Sequence, residues 1–342
     1  MTDTIEKPVV AARRIPGKRL LGLAVLIVAL VVVALLSIAV GARSIPLPTV
    51  LHILFHRDTS DAAFSVWDLR IPRTLMGLAA GASLGVAGAV MQALTRNPLA
   101  DPGLLGINSG ASAAAALAVS VLGLTDLTAF VWFAFGGAAI AGVLLYLIAG
   151  RGGASPVRLA LAGTAVAAAL TGLTQGLTLL DRQTLDQMRF WTVGSLARAD
   201  GATLGRVIPF LAVGLVVALL LARPLNALAL GEDAGKALGA HLGRTRLLSL
   251  LAITVLAGAA TAAVGPLMFV GLAVPHMVRA FTGPDQRWVL PCCALAAPTL
   301  LLAADVIGRV IAPQEIDVGV VTALLGAPVF IWLVRRSKVA RS

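Results

Sequence analysis

Long apolar runs free of any charged side chain dominate this chain: residues 20–42, 74–95, 102–125, 127–150, 159–180, 207–222, 247–278, 288–304 and 318–334. A helix needs roughly 20 apolar residues, down to about 17, to cross a bilayer core, so these nine runs are candidate spans. The run 247–278 would be about 48 Å long as one helix, too long for a core of roughly 30 Å. Gly265–Pro266 lies inside it and predicts a break into one full and one short helix. The pattern therefore predicts an all-α fold, a polytopic transmembrane bundle of ten helices over 20–335, with tails at 1–19 and 336–342.

Charge gives an independent count. Lys7, Arg13, Arg14, Lys18 and Arg19 precede the first run, and Arg335, Arg336, Lys338 and Arg341 end the last. The positive-inside rule places both termini in the cytoplasm, which requires an even number of crossings. Ten meets that condition and nine does not. The resulting alternation puts 18 of the 27 Lys and Arg inside, including all four lysines. Outward connections are then 43–69, 123–128, 181–206, a tight one near 265–268, and 305–317. Inward ones are 96–101, 151–158, 223–246 and 279–287.

Composition agrees: 58% of residues are hydrophobic, 13% are charged and the mean hydropathy is +0.94, outside the range of soluble domains. The net charge of +11 is spread over short loops and tails, where it sets topology and meets anionic headgroups, so no nucleic-acid partner is expected. The basic start leads into 23 uncharged residues; a cleaved signal has an apolar core of about 7–15, so a retained first helix is expected. Cys292 and Cys293 are adjacent in an apolar run and read as packing residues.

Gly77, Gly81 and Gly85 recur on one face of the second helix, where they let another backbone approach closely. Pro72, Pro98, Pro102, Pro266, Pro275, Pro291 and Pro298 interrupt or flank the helices, as in bundles with broken helices around a pathway. Of the 16 Asp and Glu, only Asp305 lies at the edge of an apolar run, and Arg309 follows it at the helical i+4 spacing. Ion-coupled carriers need ionisable groups at membrane depth, which disfavours a secondary carrier. His52, His56, His241 and His276 are scattered without metal-ligand spacing. Gly235–Lys236 is followed by Ala237 rather than the Ser or Thr of a phosphate-binding loop. No catalytic residue, metal site or cofactor is expected, and a passage of this kind must be passive or borrow energy from a partner.

The stretches Leu69–Arg70–Ile71–Pro72–Arg73–Thr74–Leu75, Gly88–Ala89–Val90–Met91–Gln92–Ala93–Leu94 and Asn97–Pro98–Leu99–Ala100–Asp101–Pro102–Gly103–Leu104–Leu105–Gly106 carry a resemblance. So do Arg223–Pro224–Leu225–Asn226, Leu228–Ala229–Leu230–Gly231–Glu232, Leu238–Gly239, Gly271–Leu272–Ala273–Val274–Pro275–His276, and the run from Val318 through Pro328. Together they closely resemble the FecCD-type permeases of binding-protein-dependent ABC importers, which serve siderophore, haem and vitamin B12 uptake. The resemblance spans roughly 20–335.

That resemblance implies ten helices with cytoplasmic ends in a bacterial plasma (inner) membrane. It implies a second permease chain, the same or homologous, two ABC ATPase subunits and an extracytoplasmic substrate-binding protein. The cargo it implies is an iron–siderophore chelate, with vitamin B12 or haem as the alternative. It makes Gly231, Glu232, Asp233, Ala234, Gly235, Lys236, Ala237, Leu238 and Gly239 the segment that couples to the ATPase; the plain reading is a helix-to-helix connection. It makes Arg70, Arg73 and Arg309 docking residues for carboxylates of the binding protein, the alternative being pairing with Asp68, Asp305 or lipid. It places a cytoplasmic gate at Asn97, Pro98 and Leu99 with Ser155 and Pro156, where a rigid corner is the structural alternative. With no ring of charges or aromatic cage in the helices, the expected passage is apolar and weakly binding.

Overall fold

A computed structural model describes residues 16–41, 45–56, 58–124, 127–150, 156–231, 237, 241–312 and 314–339. Among them there is helix and no strand. The helices are α1 (Pro16–Ala39), α2 (Leu47–Phe55), α3 (Asp61–Phe64), α4 (Ile71–Thr95), α5 (Ile107–Leu122), α6 (Leu127–Gly150) and α7 (Pro156–Leu180). They continue as α8 (Arg182–Trp191), α9 (Gly201–Leu220), α10 (Ala222–Ala229), α11 (Leu242–Val264), α12 (Val270–Thr282), α13 (Gln286–Val310) and α14 (Val318–Val339).

Every apolar run forms a helix, but not all helices are full spans. Seven are long and apolar enough to cross a membrane: Gly17–Ala39, Asp61–Thr95, Ala129–Ile148, Leu161–Leu180, Gly201–Leu220, Leu242–Val264 and Gln286–Val310. Ile107–Leu122 and Val318–Ile331 are apolar but shorter, and α12 has 13 residues. Backbone chemistry causes two of these shortenings. Asp101 caps a 3-10 turn over Pro102–Leu105, and Gly106 at φ 77° redirects the chain before α5 begins. The long run breaks where expected: α11 stops at Val264, Gly265 takes φ 77°, and α12 resumes at Val270. Pro266 has no N–H to continue the ladder.

The connections expected to face outward are less loop-like than the sequence suggests. Residues 43–69 contain α2, α3 and a π-helical turn at Ser65–Arg70 that runs into α4. Residues 181–206 contain α8, whose start is capped by the Asp181 carboxylate accepting from Gln183 N and Thr184 N. α2 is apolar but only 9 residues long, and α8 is polar, so neither registers as a span; a well-placed cap is enough to start a helix such as α8.

α4 is the axis of the bundle. Almost every side chain from Thr74 to Thr95 is buried, enclosed by α13, α11, α12 and α9. Gly77, Gly81 and Gly85 face α13: a β-carbon at Gly81 would come within 2.5 Å of Pro298 Cα, one at Gly77 would meet Leu302, and one at Gly85 would overlap Ala297. Gly88 lies against the backbone of Gly271 on α12. Around this core, α5 packs on α6 and α7, and α1 packs along α13. Leu20, Leu21, Val25 and Val28 of α1 are exposed, the surface expected of a lipid-facing helix.

Gly88→Ala places a methyl group into the Gly271 carbonyl, a backbone atom that cannot swing aside. The expected cost is about 1–3 kcal/mol or more, measured as a lowered unfolding midpoint in detergent. Gly136→Ala, at a glycine with open space, should leave the midpoint unchanged.

Candidate functional site

Three regions carry polar chemistry inside this apolar bundle: a cavity, a charged cluster at one end, and a basic, partly helical connection at the other.

The cavity has a volume of about 790 Å³ and lies between α5, α7, the 97–103 turn and the start of α12. Its walls are mixed. Asn108, Ser109, Ser112, Thr171, Thr174 and Gln175 line one side, and Met268, Phe269, Leu272 and Phe330 the other. Hydroxyl and amide groups on α5 and α7 face the opening, in a lining that is otherwise largely apolar. The signal was present in α7, where Thr164, Thr171, Thr174, Gln175 and Thr178 interrupt an otherwise apolar run. Its exposed glycines, Gly172 and Gly176, have nothing packed on them. Two wall groups are already satisfied within the chain: Thr174 donates to Leu170 O at 2.9 Å, and Asn108 Oδ1 accepts from Thr261 Oγ1 at 3.0 Å. Phe269 takes φ 67°, rare for a residue with a β-carbon and a mark of backbone held by its surroundings.

One end of the cavity is closed by the turn after α4. Arg96 at φ 50° ends the helix, and Asn97 N donates back to Gln92 O at 3.2 Å. Asn97 Oδ1 accepts from Leu99 N at 3.0 Å, so the corner is set by a side chain as well as by Pro98. Asn97 and Leu99 both line the cavity. Pro156 opens α7, while Ser155 lies outside the described residues. Asp101, not singled out from the sequence, also reaches the cavity. Its Oδ1 accepts from Gly103 N at 2.8 Å, and loss of solvation pushes its carboxyl up to about 6.

The charged cluster joins α1, α4 and α13. Asp305 is fully buried and is gripped from both sides. Arg73 Nε donates to its Oδ2 at 3.1 Å and Arg73 Nη2 to its Oδ1 at 2.8 Å, and Arg309 Nη2 also donates to Oδ2. Arg73 Nη1 also donates to Glu315 at 2.8 Å. Arg309 Nη1 donates to Ser37 O at 2.7 Å and Val40 O at 2.9 Å, and Arg70 Nη1 to Ala39 O at 2.6 Å. Two arginines thus cap the C-terminal carbonyls of α1, where the helix dipole favours positive charge. Ser37 Oγ and Thr74 Oγ1 complete the junction at 2.8 Å. Arg70, Arg73 and Arg309 come together at this junction, and each guanidinium group makes hydrogen bonds within the chain. Glu315 and Ser37 belong to the cluster without any mark in the sequence.

Of the expected coupling segment, Gly231 at φ 110° and Ala237, exposed and helical, are described. Glu232, Asp233, Ala234, Gly235, Lys236, Leu238 and Gly239 lie outside the described residues. The segment is approached through α10, an amphipathic helix with Leu225 and Leu228 buried. Asn226 ties α10 to the start of α13: its Nδ2 donates to Asp285 at 2.7 Å and its Oδ1 accepts from Gln286 N at 2.9 Å. Arg287 and Asn226 hold the Asp285 carboxyl down at about 2. No group of three or more His, Cys, Asp and Glu that would hold a metal occurs among the described residues.

A polytopic helical bundle with seven helices long and apolar enough to cross a membrane and a cavity lined from several of its helices is a permease in form. Known proteins agree. The sequence profile of the FecCD transport family matches residues 29–336, and this chain belongs to that family. It is 52% identical to the ferric enterobactin transport system permease protein FepD of Escherichia coli, over 87% of this chain and 90% of that protein. It is 41% identical to the Fe(3+)-citrate import system permease protein YfmD of Bacillus subtilis, over 88% and 90%. It is 39% identical to the hemin transport system permease protein HmuU of Yersinia pestis, over 89% and 92%. Among solved structures, a metal-chelate type ABC transporter in an inward-facing conformation superposes with a TM-score of 0.81 at 28% identity, covering 93% of this chain and 99% of that one. The chain is therefore a transport permease subunit.

Two outcomes follow from the geometry. Asp305→Ala leaves Arg73 and Arg309 buried without their shared carboxylate, which should cost about 3–5 kcal/mol, read from detergent unfolding of the purified permease. Asp101 keeps its proton in the folded protein up to about 6, above the ordinary 3.8. The folded state therefore binds more protons than the unfolded chain between these values, and stability should fall as pH rises through that window. Asp101→Asn should flatten this slope in unfolding midpoints recorded from about pH 4 to 7.

Proposed function

We propose that this chain passes an iron–siderophore chelate across a bacterial inner membrane as one of two permease subunits in a binding-protein-dependent importer. The observation that carries the cargo is its 52% identity, over nearly its full length, to a ferric enterobactin permease. A hemin permease is more distant at 39%, which favours a siderophore over haem. The mixed walls of the cavity suit the same cargo: amide and hydroxyl groups can solvate the polar rim of a chelate while Met268, Phe269 and Phe330 accept its organic face.

The topology in this proposal is ten crossings with both termini in the cytoplasm: α1, α4, α5, α6, α7, α9, α11, α12, α13 and α14. Charge parity supports it, as does the break between α11 and α12. The loaded binding protein docks over the outward end that carries Arg70, Arg73 and Arg309. Because these side chains bind one another's partners internally, their contribution is to fix the shape of that face, with Arg73 and the one-third-exposed Glu315 at its accessible edge. On the inner side two ATPase subunits engage residues 231–239, and α10 carries their motion to α13 through Asn226. The turn at Asn97, Pro98 and Leu99, together with Ser155 and Pro156, opens and closes the inner end. Weak, distributed contacts in the passage permit release, and ATP hydrolysis supplies the direction.

Proteoliposomes holding the permease, its ATPase and its binding protein should accumulate a radiolabelled ferric triscatecholate only when ATP is present. Accumulation of haem or cobalamin in its place would replace the cargo, and uptake without the ATPase would return the ion-coupled carrier to consideration.

A further inference from the structure

At the end of the bundle next to the coupling segment, α9, α10 and α11 surround a second cavity of about 580 Å³. Its lining combines two kinds of chemistry. Val217 and Leu220 of α9 and Leu248 of α11 are apolar, and Leu220 is 74% exposed. Arg223 of α10, Arg244 of α11 and His241 line the same cavity. Among the described residues, neither guanidinium has an ion-pair or hydrogen-bond partner. The carboxylate that α10 does reach, Asp285, is taken by Asn226 and Arg287.

We infer that this cavity holds an anionic phospholipid of the inner leaflet, its phosphate between Arg223 and Arg244 and one acyl chain along Val217, Leu220 and Leu248. Guanidinium forks match phosphate oxygens, and basic pockets between helices on the cytoplasmic side suit anionic headgroups. An acidic side chain of a protein partner would need the arginines but not the apolar side chains that line the same cavity. The bound lipid would brace α10 against α9 and α11, stiffening the helix that leads into residues 231–239. The choice of leaflet rests on the topology proposed above; lipid binding itself is read without transport.

The test is native mass spectrometry of the full permease purified with its ATPase, delipidated and titrated with dioleoylphosphatidylglycerol, dioleoylphosphatidylcholine or inorganic phosphate. The phosphatidylglycerol should be retained selectively and inorganic phosphate should not displace it. R223Q/R244Q should weaken its binding about thirtyfold, R223K/R244K should restore much of it, and R182Q on α8 should change nothing. Equal retention of the two lipids overturns the inference, and this comparison needs no variant. Displacement by inorganic phosphate overturns it in favour of a simple anion site. Loss of the ATPase from the R223Q/R244Q complex with unchanged lipid binding overturns it in favour of a protein contact. Selective lipid retention in a protein that fails to import a ferric chelate would remove the proposed cargo and leave the lipid site standing.

Discussion

In a bilayer the solvent is as apolar as the side chains, so helices gain little by hiding apolar surface from it, and close packing of backbones must do more of the work of association. This chain is built on that constraint. α4 is enclosed on nearly all sides, and it reaches its neighbours at residues with no side chain to hold them off: Gly77, Gly81 and Gly85 against α13, and Gly88 against the backbone of α12. A second contact of the same kind joins α5 to α6 through Gly110 and Gly137. These close backbone contacts set the spacing of α4, α12 and α13, and of α5 and α6.

The charged cluster at the α1–α4–α13 junction solves a different problem. Helix ends leave carbonyls without partners, and at the end of α1 those of Ser37, Ile38, Ala39 and Val40 are met by Arg70 and Arg309. Arg309 and the neighbouring Arg73 share the counter-charge of buried Asp305. Such a junction fixes three helix ends relative to one another. That is the property an outward face needs if it is to present one shape to a partner.

Much of the fold was legible from sequence because it follows from length and charge. The break at Gly265–Pro266 was readable from a run too long for one span, and the glycine face of α4 from a four-residue repeat. What was not legible depends on three-dimensional convergence. Glu315 sits in a connection like any other acid, and only the fold brings it to Arg73. The polar wall of the cavity is drawn from α5 and α7, each of which reads alone as an apolar helix with a few tolerated hydroxyls. The helices α2, α3 and α8 are short, and the starts of α3 and α8 are decided by the local caps Ser60 and Asp181 rather than by periodicity, so none stands out in the apolar pattern.

The contact between Phe269 and α14 has a mechanical consequence. Phe269 occupies the gap between α11 and α12 in a left-handed conformation, and its β-carbon is seated in the notch left by Gly326, with Phe330 one turn further along. The same α14 is anchored at its start by Gly319 N donating to Gly194 O at 3.0 Å. A rotation of α14 about its own axis would carry the notch with it and turn the aromatic ring that forms part of the cavity wall. The place of the Phe269 ring in the cavity wall and the rotational setting of the last helix are thus coupled by direct packing.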